Sequence, residues 1–265
     1  MSAEESLRDG DLEQALAQLQ DRVRKNPSDA KLRVFLFQLL SVLGQWERAL
    51  TQLNVAGELD AETLAMVQTY REALNCEVLR KDIFAGKRSP LIFGDPEEWI
   101  ALMLEALRAT ADGQHNLAQE TRNKAFETAP ATSGNIDGQP FEWIADADSR
   151  IGPLLEAVIN GRYYWVPFNR IQAIHIEAPS DLRDQVWLPS TLTFANGGEA
   201  VALIPTRYPY SEDATDPRIR LARLTDWQEV KPEVYLGLGQ RMLATDQGEY
   251  PIMDVREINL DSTHG

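Results

Sequence analysis

The chain reads Gly10-Asp11-Leu12-Glu13-Gln14-Ala15-Leu16 near its start and, 34 residues later, Gly44-Gln45-Trp46-Glu47-Arg48-Ala49-Leu50. The two segments share a glycine, a glutamate, an alanine and a leucine at the same offsets, and Leu19 also falls on Leu53. Apolar residues follow each glycine at spacings of three and four, which is the period of an amphipathic helix. A repeat of this length therefore indicates stacked pairs of helices.

Residues 1–130 are predicted to form an α-α superhelix of the tetratricopeptide (TPR) type, because that repeat is about 34 residues long. Alanines at positions 15 and 49 would let the two helices of a pair approach closely, and a later unit beginning at Trp99 is similar. Between these units, residues 81–96 contain two glycines and two prolines and are predicted to be an inserted loop. An unrelated helical bundle remains an alternative, since it would place alanine and glycine at similar positions.

The first helix of each TPR pair lines the inner groove of the array, so the pattern also predicts a partner-binding surface. An apolar groove with polar edges would suit an amphipathic helix laid into it. The same residues could equally be core. The predicted groove residues are Val34, Gln38, Val42, Ile100, Met103 and Leu107.

The second half of the chain has a different pattern. Residues 131–140 are rich in turn-forming residues and are predicted to be a linker between a helical domain, 1–130, and a C-terminal domain, 141–265. Asn196-Gly197-Gly198 predicts a hairpin turn, and residues 151–159 could form one helix. The C-terminal domain is therefore expected to be mainly β, as an α+β or barrel-like fold. Runs of β-branched and aromatic residues predict strands at 163–168, 171–176, 190–194, 200–205, 219–224 and 252–259.

The charge of the chain favours protein partners. The net charge is −15, with 21 acidic and 15 basic residues up to position 130 and 20 acidic and 11 basic residues after it. Both halves would repel nucleic acid and anionic membranes. The single cysteine, Cys76, excludes an internal disulfide and favours a reducing compartment. There is neither a signal-peptide pattern nor an apolar run of membrane length, so the expected location is the cytoplasm.

No motif for catalysis or metal binding is present. The histidines, His115, His175 and His264, lack a second histidine or cysteine at metal-ligand spacing. Asp146 and Asp148 lack the glycine and the distal glutamate of a calcium loop, so they are expected to be solvated surface. Neither a phosphate-binding glycine loop nor a G-x-S-x-G motif occurs. We therefore expect no catalytic residue, no metal and no cofactor.

Two polar clusters in the second half leave a ligand site open. Arg218 and Arg220 are predicted to share one face of a strand, where they would either pair with acidic neighbours or bind a ligand. Tyr164, Arg207 and Tyr208 lie in segments dense in polar-tipped side chains. Such runs usually build a core or an interface, but they are also where an enzyme site would be sought.

Three blocks in the second half resemble the signature blocks of the ImpE family, also called TagJ or SciE. They are Gly161-Arg-Tyr-Tyr-Trp-Val-Pro-Phe168, Pro179-Ser-Asp-Leu-Arg-Asp-Gln-Val-Trp-Leu-Pro189 and Ala202-Leu-Ile-Pro-Thr-Arg-Tyr-Pro209. With the TPR-like first half, the resemblance covers nearly the whole chain. It implies a cytoplasmic accessory protein of bacterial type VI secretion. The partners that it implies are the N-terminal helix of the small sheath subunit (TssB) and the ClpV disassembly ATPase.

The sequence therefore leads to one main functional hypothesis and two alternatives. The main hypothesis is a non-enzymatic adaptor of type VI secretion that binds a sheath-subunit helix and links to ClpV. The first alternative is an enzyme with a site in the C-terminal domain near Tyr164, Arg207 and Tyr208. The second is a general TPR co-chaperone outside secretion.

Overall fold

A computed structural model describes residues 2–231 and 234–261 of the chain. The N-terminal part is helical as predicted, and the helices run antiparallel in pairs. Helices α3 and α4 form one pair, and helices α6 and α7 form a later one. The α-helices are α1 (Ala3–Asp9), α2 (Leu12–Lys25), α3 (Ala30–Val42), α4 (Trp46–Leu59), α5 (Leu64–Phe84), α6 (Glu98–Ala111), α7 (His115–Thr128) and α8 (Pro217–Arg220).

The repeated sequence marks equivalent turns between helices. Gly10 and Gly44 have φ angles of 82° and 67°, in the left-handed region where a residue with a Cβ is strained. Asp11 caps the helix that follows the first of them, because its carboxylate accepts a hydrogen bond from the backbone N–H of Gln14. The 34-residue period is therefore the spacing between two equivalent glycines, each of which lies in the connection between two helices.

The C-terminal part is built mainly from strands. A nine-stranded sheet has the order β1-β6-β5-β9-β8-β7-β14-β2-β3, in which the β1–β6 pair is parallel. A three-stranded sheet has the order β13-β12-β4, and β10 and β11 form a separate hairpin. The strands are β1 (Leu91–Ile92), β2 (Gly134–Ile136), β3 (Gln139–Phe141), β4 (Ile144–Asp146), β5 (Leu154–Ile159), β6 (Arg162–Pro167), β7 (Ile171–Ile176), β8 (Trp187–Phe194), β9 (Glu199–Pro205), β10 (Thr225–Lys231), β11 (Val234–Gly239), β12 (Met242–Thr245), β13 (Gly248–Pro251) and β14 (Glu257–Leu260).

Four of the predicted strands are present as β6, β7, β8 and β9, and the predicted hairpin turn joins β8 to β9. The Phe194 N–H donates to the Gly198 carbonyl at 2.8 Å, and Gly197 has a φ of 79°. The helix expected at 151–159 is wrong, because this segment contains β5. Every residue of β5 is buried, so its apolar run lacks the alternation that identifies a half-exposed strand.

Two other predicted strands differ from the structure. Residues 219–224 do not form a strand, because they contain the end of α8 and a turn in which Ala222 has a φ of 52°. Only the last part of 252–259 is extended, as β14. Arg218 and Arg220 therefore lie on a short helix, and Arg218 pairs with Asp216 at 2.7 Å, which agrees with the acidic-neighbour alternative.

Both segments that were predicted to be irregular contribute strands to the large sheet. Residues 131–140 include β2 and the start of β3, with Asp137 and Gly138 in the turn at φ angles of 47° and 81°. Helix α5 continues to Phe84, beyond the start of the loop predicted at 81–96, and β1 then pairs with β6. The helical part thus supplies one edge strand of the sheet. The predicted C-terminal domain extends to 265, but residues 262–265, including His264, lie outside the described residues.

One hydrophobic core crosses from the helices to the sheet. It contains Phe37 and Phe84 from the helices together with Trp165 and Trp187 from β6 and β8. A second core lies on the other side of the large sheet and includes Ile174, Leu192 and Ile258. Both faces of the central strands are therefore covered, one of them by the helices.

Candidate functional site

The C-terminal part fills the side of the helical array on which a binding groove was predicted. Helix α3 packs against the 3-10 turn Leu182–Gln185, which precedes β8. The ring of Trp187 lies 5.7 Å from that of Tyr70 and 6.2 Å from that of Trp46. Its indole N–H donates to Glu77 Oε1 at 3.0 Å. Aromatic side chains of the strands thus occupy the space that a partner helix would need.

In the described part of the chain, most of the residues predicted to line an open groove are therefore buried. Of its six predicted residues, only Val34 is partly accessible. Gln38 and Val42 are buried, and the carbonyl of Val42 accepts a hydrogen bond from Arg207 Nη1 at 2.9 Å. The three apolar residues from α6 belong to the shared core, as the alternative interpretation held. They are Ile100, Met103 and Leu107.

The three residues proposed for an enzyme site do not converge. Tyr164 lies on β6, with its ring 6.1 Å from that of Phe93. Arg207 is buried and bonded to backbone carbonyls of the helical part. Tyr208, its neighbour in the chain, is fully buried, and its hydroxyl donates to Asp146 Oδ1 at 3.1 Å. Each of the three has a structural partner in a different place.

A buried network of charges joins the two parts of the chain. Arg80 on α5 contacts Glu156 on β5 through two hydrogen bonds, of 2.6 and 3.0 Å. Arg241 bridges Glu156 and Asp146, and all three of these side chains are buried. The solvated surface expected for Asp146 and Asp148 is wrong, because both are buried beside arginines that supply the counter-charge, Arg241 for Asp146 and Arg150 for Asp148.

The two arginines control the protonation of Glu156. Burial alone would raise the pKa of this carboxyl, but Arg80 and Arg241 outweigh it and lower the pKa to about 2. Asp146 differs, because burial raises its pKa to about 6 although Arg241 acts in the opposite direction. A buried pair of this kind is strongly destabilised when one partner is removed.

The network fits a structural role better than a chemical one. Glu156 already binds two arginines, and Asp148 is bonded to Arg150 Nε at 3.0 Å. Cys76 is buried, and burial raises the pKa of its thiol to about 12, which disfavours the reactive thiolate. Within residues 2–231 and 234–261, no group of histidine, cysteine and acidic side chains could hold a metal ion, and no helix is long and apolar enough to span a membrane.

An open apolar cavity lies on the three-stranded sheet. Trp143, Ala145 and Ala244 point to one side of this sheet, because residues alternate along a strand and Ala145 pairs with Ala244. Together with Phe126 from α7 they line a cavity of about 400 Å³. We call these four residues the outer face. Trp143 is 39% exposed and Phe126 is 41% exposed, so the two aromatic side chains form an exposed apolar patch around one cavity.

Sequence reasoning missed the outer face, although part of its signal was present. The weak alternation of residues 141–147 identifies a strand with small and aromatic residues on one side. It does not show that this strand pairs with β12, about 100 residues later, or that α7 ends beside it.

Comparisons with known proteins agree with this architecture and with the resemblance seen in the sequence. A model of the ImpE protein family matches residues 138–259, and a tetratricopeptide repeat model matches residues 6–74. The type VI secretion system accessory component TagJ of Pseudomonas aeruginosa is 52% identical over 263 residues, covering 99% of this chain and 92% of that protein. The chain belongs to the ImpE/TagJ family. Its membership rests on nearly the full length of both proteins.

A crystal structure of a protein from Vibrio parahaemolyticus shares the fold of this ImpE/TagJ family member. The TM-score is 0.89 at 26% identity, and the match covers 98% of each chain. A different placement of the strands against the helices would lower a score taken over both parts. The filled inner side of the helical array is therefore compatible with the arrangement in that second protein.

Proposed function

We propose that this protein is a non-enzymatic accessory protein of a bacterial type VI secretion system. It binds the N-terminal helix of the small sheath subunit, TssB, and links the sheath to the ClpV ATPase in the cytoplasm. The observation that carries the proposal is the 52% identity to TagJ, a type VI secretion system accessory component, over 99% of this chain.

The electrostatics of the chain support a protein partner. With a net charge of −15 it would attract basic protein surfaces and repel nucleic acid and anionic lipids. Exposed aromatic residues such as Trp143 and Phe126 are typical of surfaces that bind other proteins. A helix bound to such a surface would gain both apolar burial and charge attraction.

The arrangement of the titratable groups supports a non-enzymatic role. The buried carboxylates Asp146, Asp148 and Glu156 are each held by an arginine. General acid–base catalysis would need a group that is free to take up or release a proton beside a substrate. The enzyme alternative also requires Tyr164, Arg207 and Tyr208 to share a pocket, and their separate partners count against it.

Binding to purified sheath subunits tests the proposal. We expect this protein to retain full-length TssB in a pull-down and to lose a TssB variant that lacks its N-terminal helix. A matched control is TssB with that helix replaced by a flexible segment of the same length. Retention of the helix-less variant would contradict helix recognition, and failure to retain either form would contradict the adaptor role.

The link to ClpV needs its own measurement. We expect ClpV to co-purify with the sheath subunit and this protein in a ternary complex. The control omits the sheath subunit, which shows whether the ATPase binds this protein directly. If addition of this protein displaces ClpV from TssB, the linking role is wrong and the two proteins compete for the sheath.

A further inference from the structure

We propose that the outer face, formed by Phe126, Trp143, Ala145 and Ala244, is the surface that receives the partner helix, in place of the inner side of the helical array. This inference rests on the proposed function, since it identifies where that helix binds. The occupant it specifies is an amphipathic helix with bulky apolar residues on one side and basic residues flanking them.

The shape of the outer face fits the apolar side of a helix. The alanines at 145 and 244 lie opposite each other on adjacent strands. Their short side chains leave a depression beside the exposed rings of Trp143 and Phe126. The cavity of about 400 Å³ provides room for apolar side chains of a partner. The other side of these strands is buried, with Ile144 and Leu243 each at most 3% exposed. The sheet therefore presents only this side to a partner.

The position of Phe126 is set by a glycine. A Cβ built at Gly152 would lie 2.6 Å from Cε1 of Phe126, so the ring rests directly on the backbone of that residue. Gly152 also has a φ of 53°, which favours glycine. One side of the Phe126 ring thus packs against the backbone of Gly152, while 41% of the residue remains accessible to solvent. An aromatic side chain held in this way loses little conformational entropy when a partner covers it.

The charge around the outer face selects a basic partner. Segments 139–147 and 242–251 contain no lysine or arginine. Two exposed carboxylates, Asp246 and Glu249, lie at the end of β12 and on β13, and no salt bridge within the described part of the chain involves them. Glu249 pairs in register with Ala244, and Asp246 accepts a hydrogen bond from the Glu142 N–H at 2.7 Å.

Helix α7 places neither of its two basic residues, Arg122 and Lys124, at the outer face. Arg122 is buried, with a hydrogen bond of 3.0 Å to Thr110. Lys124 precedes Phe126 by two residues and therefore lies about 200° away around the helix. A bound segment with basic flanks would meet carboxylates along the sheet and no exposed cation beside the aromatic ring.

A helix suits this site better than an added strand. Strand β4 lies at the edge of the three-stranded sheet, where an extended peptide could otherwise pair. The Asp146 N–H already donates to the Gly152 carbonyl at 2.7 Å, so the chain itself uses that edge. The available surface is then the face of the sheet with its side chains, which a helix can cover.

Binding of a labelled peptide that spans the N-terminal helix of the small sheath subunit tests the inference. We expect Trp143→Ala and Phe126→Ala each to weaken binding by at least about tenfold, as central aromatic residues of an interface do. Val201→Ala is the matched control, because Val201 is 73% exposed on β9 and away from the outer face. Thermal unfolding of each variant by circular dichroism shows that the fold is retained.

The charges are tested separately. Glu249→Gln should weaken binding and reduce its dependence on salt. If the wild-type protein binds the peptide and every variant binds equally well, the outer face is wrong and the proposed function stands. If the wild-type protein does not bind the peptide, the proposed function fails and this inference fails with it.

A second copy of this chain could also cover the outer face. Sedimentation of the wild-type protein and of Trp143→Ala distinguishes this occupant. A dimer that Trp143→Ala converts to a monomer, with unchanged peptide binding, would overturn the helix site. A monomer in both cases, with weakened peptide binding in the variant, supports it.

Discussion

The indole nitrogen of Trp187 donates a hydrogen bond to Oε1 of Glu77 at 3.0 Å and so joins strand β8 to helix α5. Both residues are buried, and the two lie 110 positions apart in the chain. Trp187 also packs against Tyr70, on the same helix. The inner side of a TPR-like array, which binds partners in many proteins of that type, here carries the interface with the chain's own sheet.

Removal of the Trp187 side chain should therefore destabilise the whole protein. We expect Trp187→Ala to lower the free energy of unfolding by about 3–5 kcal/mol, because it leaves a cavity and removes a partner of buried Glu77. Denaturant unfolding followed by circular dichroism measures this. Trp143→Ala is the control, and as a partly exposed residue it should cost no more than about 1 kcal/mol. Equal costs for the two variants would show that the interface is not essential.

The charge on Glu156 should make stability depend on acid pH. Its pKa is about 2 in the folded protein against an ordinary value of 4.5. A lowered pKa contributes stability above pH 4.5, and this contribution is lost as the pH falls from 4.5 toward 2. Each pKa unit of difference corresponds to about 1.36 kcal/mol, so the lowered pKa of Glu156 contributes about 3 kcal/mol to the free energy of unfolding.

Glu156→Gln checks this pH dependence. The variant should be less stable than the wild type at pH 7, because Arg80 and Arg241 lose their shared carboxylate. The difference in unfolding free energy between the two proteins should shrink at pH 3, since the wild type begins to lose the same charge. A difference that stays constant from pH 7 to pH 3 would contradict the lowered pKa.

Gly152→Ala should disturb the outer face from beneath. The added methyl group would come within 2.6 Å of the Phe126 ring and would also strain a backbone with a φ of 53°. Gly138→Ala is a matched control, because Gly138 has a φ of 81° but no heavy atom within 4 Å of such a methyl group. Both variants should lose about 1 kcal/mol of stability. Only Gly152→Ala should weaken peptide binding, as measured by fluorescence anisotropy.

The division into domains 1–130 and 141–265 stays a prediction, and truncation tests it. We expect residues 1–130 alone to lack a cooperative unfolding transition, since removal of the strands takes Trp187 and Trp165 away from Tyr70 and Phe84 and exposes these two rings. Near-ultraviolet circular dichroism and thermal unfolding of the fragment measure this. A cooperative transition like that of the full chain would instead support an independently folding helical domain.

Much of the helical part was predictable because its signals are local. The glycines at 10 and 44 end helices in the left-handed conformation, and the apolar residues between them follow a period set by helix geometry. The hairpin at Asn196-Gly197-Gly198 was predictable for the same reason. Strand β5 was not, since a run buried on both sides looks the same as a buried helix.

The candidate site was less predictable, because it depends on contacts between distant segments. Asp146 carries no local sign of burial, and its counter-charge, Arg241, lies 95 residues later. The outer face likewise requires α7, β4 and β12 to meet. Val42 was assigned to an open groove because a TPR pattern specifies which helix faces inward, but it does not specify what covers that face.

The sequence by itself determined the helical repeat, the β-rich second half, the acidic charge and the ImpE/TagJ family, because each of these is written in local periodicity, composition or contiguous blocks. Only the tertiary structure decided that the inner side of the helices is filled, that Glu156 is held between Arg80 and Arg241, and that Trp143 remains exposed beside Phe126. The physical reason is that the burial of a residue depends on how the whole chain packs around it. Residues with the same local pattern become core or surface according to what the distant parts of the chain place against them.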